Sequence, residues 1–148
     1  MEISLHINEV QKTFKIDPDE YLLEVLRRNG YLSVKKGCDT GTCGVCTILL
    51  DDMPVLSCSY LAVRADGKHI TTIEGIQDKA KDIGKYLVSE GADQCGYCSP
   101  SLILTIVAME KEMEDPTEEK ITRYLNGNLC RCTGYMGQLR GILKYMEV

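Results

Sequence analysis

Apolar residues alternate with polar ones in the first half of the chain and recur with the helical period in the second. Ile3, Leu5 and Ile7 alternate with polar neighbours, Asn8-Glu9 can turn the chain, and Phe14 and Ile16 alternate again, which predicts a β-hairpin. Asp17-Pro18-Asp19-Glu20 predicts a helix start, with Asp17 as cap, Pro18 at the first helical position and Glu20 where a capping box wants it. Leu22, Leu23, Val25 and Leu26 supply its apolar face, Arg27 and Arg28 suit its negative end, and Asn29-Gly30 stops it. Two strands are expected over 47–50 and 55–58, joined through Asp51-Asp52-Met53-Pro54, and a last one over 69–73 after the Asp66-Gly67 turn. Strands wrapped around one helix make a small α+β unit ending near Gly75.

Beyond that point the period changes. Ile76, Ala80, Ile83 and Leu87 fall on one helical stripe that Gly91 ends. Ser99-Pro100 opens a second helix with Leu102, Ile106, Met109 and Met113 on one side. Thr117, followed by Glu118 and Glu119, caps a third that carries Ile121, Tyr124 and Leu125 and ends at Asn126-Gly127. Met136, Leu139, Leu143 and Met146 mark a fourth. Four short helices with short loops read as a bundle. The organisation expected is therefore two units, 1–76 and 77–148, without an internal repeat or a low-complexity tract.

Composition narrows the function classes. The 148 residues carry 17 Lys and Arg against 22 Asp and Glu, a net charge of −5 that argues against nucleic acid as the main partner. No apolar run is long enough to span a membrane. Met1-Glu2-Ile3-Ser4 lacks the basic start and apolar core of an export signal, so the cytoplasm is the expected location. Against that background, eight cysteines are unusual. A reducing compartment disfavours disulfides, and clustered thiols there more often bind metal or carry redox chemistry. They form two groups of four: Cys38, Cys43, Cys46 and Cys58, then Cys95, Cys98, Cys130 and Cys132.

The first group is C-x4-C-x2-C in the glycine-rich segment from Gly37 to Cys46, with Cys58 following after eleven intervening residues. This is the plant-type spacing of a [2Fe–2S] centre held by four thiolates. Gly37, Gly41 and Gly44 are expected to allow positive φ and close approach, aiming backbone N–H groups at the sulfurs. Structural zinc competes for four cysteines, but zinc sites usually show two C-x2-C knuckles, whereas three of these cysteines share one loop. The second group has Cys95 and Cys98 as C-x2-C before a helix start and Cys130 and Cys132 as C-x-C between two helices. Helix ends favour thiolate charge there. By spacing alone, zinc and iron–sulfur both stay open for this second group.

The two groups in this order, within Gln94-Cys95-Gly96-Tyr97-Cys98-Ser99-Pro100 and Gly127-Asn128-Leu129-Cys130-Arg131-Cys132-Thr133-Gly134-Tyr135, resemble the iron–sulfur subunit of the molybdenum hydroxylases, the xanthine dehydrogenase and aldehyde oxidoreductase family. The resemblance runs over nearly the whole chain, including Ile73-Glu74-Gly75. It implies a plant-ferredoxin-like β-grasp domain followed by a four-helix bundle. It implies two [2Fe–2S] clusters, an outer one on Cys38, Cys43, Cys46 and Cys58 and an inner one on Cys95, Cys98, Cys130 and Cys132. Gln94 and Cys132 would lie close to a molybdopterin. The implied role is a relay of single electrons from a molybdopterin site, through the inner and then the outer cluster, to FAD, with no bond chemistry on this chain. Consistently, the sequence has neither G-x-G-x-x-G nor a nucleophile–base set. A molybdopterin-binding large subunit and an FAD-binding medium subunit would be separate chains in a hetero-oligomer, one arrangement being a dimer of heterotrimers. Thr40, Tyr97, Ser99 and Ser101 stand where relatives commonly have Glu, Phe, Thr and Gly, and none removes a ligand.

The remaining singular residues have plainer readings. Arg131, between two ligands, either offsets cluster charge, contacts the partner subunit or is an ordinary exposed arginine. His6 and His69 read as surface residues. Met109, Met113, Met136 and Met146 read as core, and the acidic stretch 110–119 as a solvated face. Tyr97 and Tyr135 either shield the second group from water or simply pack.

Overall fold

The alternating segment closes on itself in a computed structural model that describes residues Met1–Val148. Strands β1 (Glu2–Ile7) and β2 (Val10–Lys15) pair antiparallel, with Asn8 and Glu9 both at positive φ, as a two-residue hairpin turn requires. Strands β3 (Thr47–Leu50), β4 (Met53–Leu56) and β5 (His69–Thr71) complete a mixed sheet in the order β2-β1-β5-β3-β4. Only the β1–β5 pair is parallel. The expected four-residue link at 51–54 is a two-residue turn instead. Asp51 and Asp52 take positive φ, so Met53 and Pro54 enter the strand, and Pro54 is tolerated because β4 is an edge. Cys58 consequently lies in a short 3₁₀ turn (Ser57–Ser59), not in the strand.

Helix α1 (Leu22–Arg28) buries Leu22, Leu23, Val25 and Leu26 as expected but starts later than the Asp17-Pro18 signal. Tyr21 is held extended by an isolated bridge to Leu61. Leu22 N–H donates to the Tyr60 carbonyl at 2.8 Å and Ala62 N–H to the Glu20 carbonyl at 2.9 Å. That non-local pairing overrides the local cap. What survives of the capping box is the Asp17 N–H donating to Glu20 Oε2 at 3.3 Å.

Helices α2 (Gln77–Ser89), α3 (Ser99–Glu112), α4 (Glu118–Tyr124) and α5 (Met136–Tyr145) follow, the four that the helical period calls for. Thr117 caps α4, its hydroxyl accepting from Lys120 N–H at 3.3 Å. Two cores result. One lies between α1 and one face of the sheet, around Leu5, Ile7, Leu22, Leu26, Ile48 and Ile70. The other joins α2, α3, α4 and α5 through Ile83, Leu104, Ile106, Met109, Ile121 and Ile142, and it also receives Leu49 from the opposite face of β3. All four residues of β3 are buried because both faces of that strand are covered. Helix α3 is buried from Ser101 to Met109, all round and not on a stripe, since it runs between the sheet and the other helices. Met109 is core, whereas Met136 is exposed; on α5, Gln138, Gly141 and Ile142 are buried in its place. The Ile73-Glu74-Gly75 segment ties back to the first half, with Glu74 accepting from Ser33 N–H at 3.2 Å and Ser33 Oγ at 2.6 Å. His6 and His69 do not simply face solvent: they stack across β1 and β5 with centroids 4.6 Å apart. No helix is long and apolar enough to cross a membrane.

Candidate metal centres

All eight cysteines are free thiols. In the first group the loop after Val34 carries Cys38, Cys43 and Cys46 to one end of the sheet, and the turn after β4 brings Cys58 to Cys46. Ser57, fully buried, locks this junction: its N–H and hydroxyl both donate to the Cys46 carbonyl, at 3.4 and 2.7 Å. Gly41 and Gly44 take positive φ, as expected. Gly37 does not, and serves by close approach, since a Cβ there would meet Val45 Cγ2 at 2.8 Å and Cys43 Sγ at 3.2 Å.

Within each group, neighbouring thiols influence one another's ionisation. Cys38 interacts with Cys43, and Cys46 with Cys58; in the second group Cys95 interacts with Cys132, and Cys98 with Cys130. No three or more His, Cys, Asp or Glu side chains converge as a single-ion site requires. Backbone N–H groups of Cys43, Thr40 and Thr42, together with the Cys43 thiol, bring the Cys38 thiol down to about 6, whereas burial pushes Cys46 up to about 11. In the second group burial pushes Cys98 up to about 11. Burial opposes ionisation of Cys130 as well, but donation from Thr133 and the Cys132 backbone outweighs it and holds that thiol below its usual value. Each group therefore contains a thiol already biased toward the thiolate that binds metal.

The second group is assembled from two loops. Cys98 is the N-cap of α3, Cys95 stands on the loop before it, and Cys130 and Cys132 lie on the loop leading to α5, so only one of the four sits at a helix end itself. Hydrogen bonds reach three of these sulfurs: Tyr97 N–H to Cys95 Sγ at 3.4 Å, Thr133 Oγ1 to Cys130 Sγ at 3.2 Å and Gln138 Nε2 to Cys98 Sγ at 3.7 Å. Cys130 is buried, whereas Cys95 and Cys132 are exposed, and so is Gln94 beside Cys95. Gln94 and Cys132 thus share one outward edge. Tyr97, Leu129, Tyr135 and Met136 are also exposed, so the two tyrosines do not seal this group within the chain, and Arg131 is exposed too. The eight-thiol donor set, sulfur-directed hydrogen bonds and a glycine loop too tight for a Cβ all suit iron–sulfur ligation.

The two groups are joined directly. Leu129 N–H donates to the Cys43 carbonyl at 2.9 Å, so one backbone hydrogen bond connects a first-group cysteine to the residue before Cys130. Tyr97 Oη donates to the Lys36 carbonyl at 2.7 Å, and a Cβ on Gly44 would stand 1.9 Å from the Gly127 oxygen. Asn128 Nδ2 bonds Thr105 Oγ1 at 3.0 Å behind this contact. Gln138 and Ser57 were not singled out by the sequence, and Gly127 reads there only as a helix stop and as part of the second cysteine motif. For Gln138 a signal existed, because it stands one helical turn before Ile142 on the face that α5 buries.

Residues 5–72 match the family model of the 2Fe-2S iron-sulfur cluster binding domain, and residues 72–143 that of the [2Fe-2S] binding domain. The chain is 42% identical over 137 residues to the nicotinate dehydrogenase small FeS subunit of Eubacterium barkeri, covering 90% of this chain and 87% of that one. It is 48% identical over 122 residues to the xanthine dehydrogenase iron-sulfur-binding subunit of Escherichia coli O157:H7, covering 80% and 77%. Among solved structures, quinoline 2-oxidoreductase from Pseudomonas putida 86 superposes with a TM-score of 0.89 at 36% identity, over 96% of this chain and 90% of that one. Aldehyde oxidoreductase from Desulfovibrio gigas superposes with a TM-score of 0.88 at 31% identity, over all of this chain and 18% of the larger one. The chain belongs to the family of [2Fe–2S] iron–sulfur small subunits of the molybdenum hydroxylases, the xanthine dehydrogenase and aldehyde oxidoreductase group.

Proposed function

We propose that this chain is the electron-transfer subunit of a molybdenum hydroxylase. Residues 1–76 form a plant-ferredoxin-like β-grasp domain with Cys38, Cys43, Cys46 and Cys58 as ligands of an outer [2Fe–2S] cluster. Residues 77–148 form a four-helix bundle with Cys95, Cys98, Cys130 and Cys132 as ligands of an inner one. The observation that carries this reading is that two [2Fe–2S] domain matches, over residues 5–72 and 72–143, each span four free cysteines. A tetrahedral zinc site draws four sulfurs around one ion, whereas a two-iron core takes two thiolates at each iron. Bound there, such clusters accept and pass on single electrons.

The chain's own contribution is placement. The Leu129–Cys43 hydrogen bond and the Gly44–Gly127 contact fix the separation of the two thiol groups, and burial of Cys43 and Cys46 keeps water from the first. The exposed edge with Gln94, Cys95 and Cys132 is where a molybdopterin-binding large subunit docks, bringing Gln94 and Cys132 close to the pterin. An FAD-binding medium subunit takes up electrons on the outer side. The two relatives from Eubacterium barkeri and Escherichia coli are themselves named as subunits. The assembly works in the cytoplasm, where free thiols survive.

Iron, acid-labile sulfide and EPR of the native complex test this reading. Cys46→Ser and Cys98→Ser are each expected to abolish a different one of two reduced-state EPR signals. Zinc in place of iron, or a single signal that both substitutions remove, overturns it.

A further inference from the structure

Gln138 is 5% exposed, and its one side-chain hydrogen bond is the 3.7 Å contact from Nε2 to Cys98 Sγ. Burying an amide is costly unless it is well partnered. A long contact to a neutral thiol offsets little of that; a charged sulfur is a much stronger acceptor. A leucine or methionine would fill the same space without the penalty. Thr133 repeats the pattern, its hydroxyl donating to Cys130 Sγ at 3.2 Å. Cys98 and Cys130 are each other's partners, so the inward pair of the second group receives two side-chain donors. The outward pair, Cys95 and Cys132, receives a backbone N–H from Tyr97.

We propose that Gln138, seconded by Thr133, is a positioning residue that sets the reduction potential of the second centre by donating hydrogen bonds to its inward sulfur pair. This rests on the cluster assignment above. Added negative charge on that pair strengthens both bonds, so the reduced state is favoured and the potential is raised. The chain thereby tunes the second centre with side chains.

The test is an EPR-monitored redox titration of the assembled complex, with dithionite supplying the electrons, for wild type, Gln138→Met and Thr133→Val. Gln138→Met is expected to shift the reduction equilibrium of one centre about tenfold toward the oxidised form, about 59 mV lower for a one-electron couple, and to leave the other centre in place. Thr133→Val is expected to shift the same centre in the same direction, and it carries the test if Gln138→Met does not assemble. Unchanged potentials, or equal shifts of both centres, overturn the inference. A wild-type complex lacking two separately titrating iron–sulfur signals overturns instead the cluster assignment on which it rests.

Discussion

The two thiol groups solve the same ligation problem in opposite ways. The first is enclosed within the chain: Cys43 and Cys46 are buried and the loop closes over them with glycines where no side chain fits. The second is open: only Cys130 is buried, and two of its four cysteines are exposed beside Gln94, Tyr97 and Tyr135. Enclosure by backbone leaves little to vary by substitution, whereas a site built from two loops draws donors from a helix side chain such as Gln138. On the proposed reading, the open group faces the pterin and is completed by another subunit. The enclosed group still depends on its neighbour, because what covers Cys43 is the segment Gly127–Leu129 from the second half.

That dependence is broken most severely at Gly44. The residue has φ +75°, and an added Cβ would lie 1.9 Å from the Gly127 carbonyl oxygen, a backbone atom that cannot swing aside. Gly44→Ala therefore adds a left-handed non-glycine residue to an overpacked backbone contact, and about 3 kcal/mol or more of stability is expected to be lost. The Leu129–Cys43 bond should go with it. Thermal unfolding and visible absorption check this: a large fall in melting temperature with bleaching is expected. A wild-type melt would mean that the first group needs no cover from the second half.

How much of this was legible in the sequence follows from the range of the forces involved. The β1–β2 hairpin, the stop at Gly30 and the cap at Thr117 depend on neighbouring residues, and each lies where the local signal puts it. The start of α1 does not, because the Tyr21–Leu61 bridge is made by a residue forty positions away. For α3 the one-stripe reading falls short of what the sequence holds: from Leu102 to Met109 only Thr105 is polar, the composition of a helix covered on every side. The eight thiols and their grouping are visible as spacing. Which thiols become neighbours depends on non-local docking, of the turn after β4 against Cys46 in the first group and of α5 in the second, and so does the Gln138 amide turned toward Cys98. Gly137 and Gly141 explain that docking only after the fact: a Cβ on either would come within about 3 Å of the α2 backbone, 2.9 Å for Gly137 against the Glu90 oxygen.

A milder break of the junction is available at Tyr97. Its hydroxyl donates to the Lys36 carbonyl at 2.7 Å, strapping the second group's first loop to the chain just before Gly37. Lys35 Nζ lies 5.4 Å from the ring centroid, a contact that phenylalanine retains. Tyr97→Phe removes the hydroxyl alone. With a half-exposed side chain, about 0.5–1 kcal/mol of stability is expected to be lost, measurable by denaturant unfolding. Loss comparable to that of Gly44→Ala would mean that the strap, not the backbone contact, holds the two groups in register.

The smallest effect is expected inside the second unit, away from the junction. Glu90 caps the C-terminal end of α2, where its charge adds to the negative end of the helix dipole. Lys144 and Arg140 on α5 offset that, Arg140 Nε at 2.9 Å, and together they hold the Glu90 carboxyl below its usual 4.5. A carboxyl depressed in the folded state contributes stability above its unfolded value, and that contribution is lost as pH falls through the lower folded value. Glu90→Gln should therefore melt slightly below wild type at pH 7, with the gap closing as the pH drops below about 4.5. High salt should narrow the gap too, because both basic partners are more than half exposed. Both reduced-state EPR signals should be unaffected. If either signal moved, the α2–α5 clamp would belong to the metal-binding machinery, and the contrast between an enclosed and an open group would extend deeper into the helices than the thiols themselves.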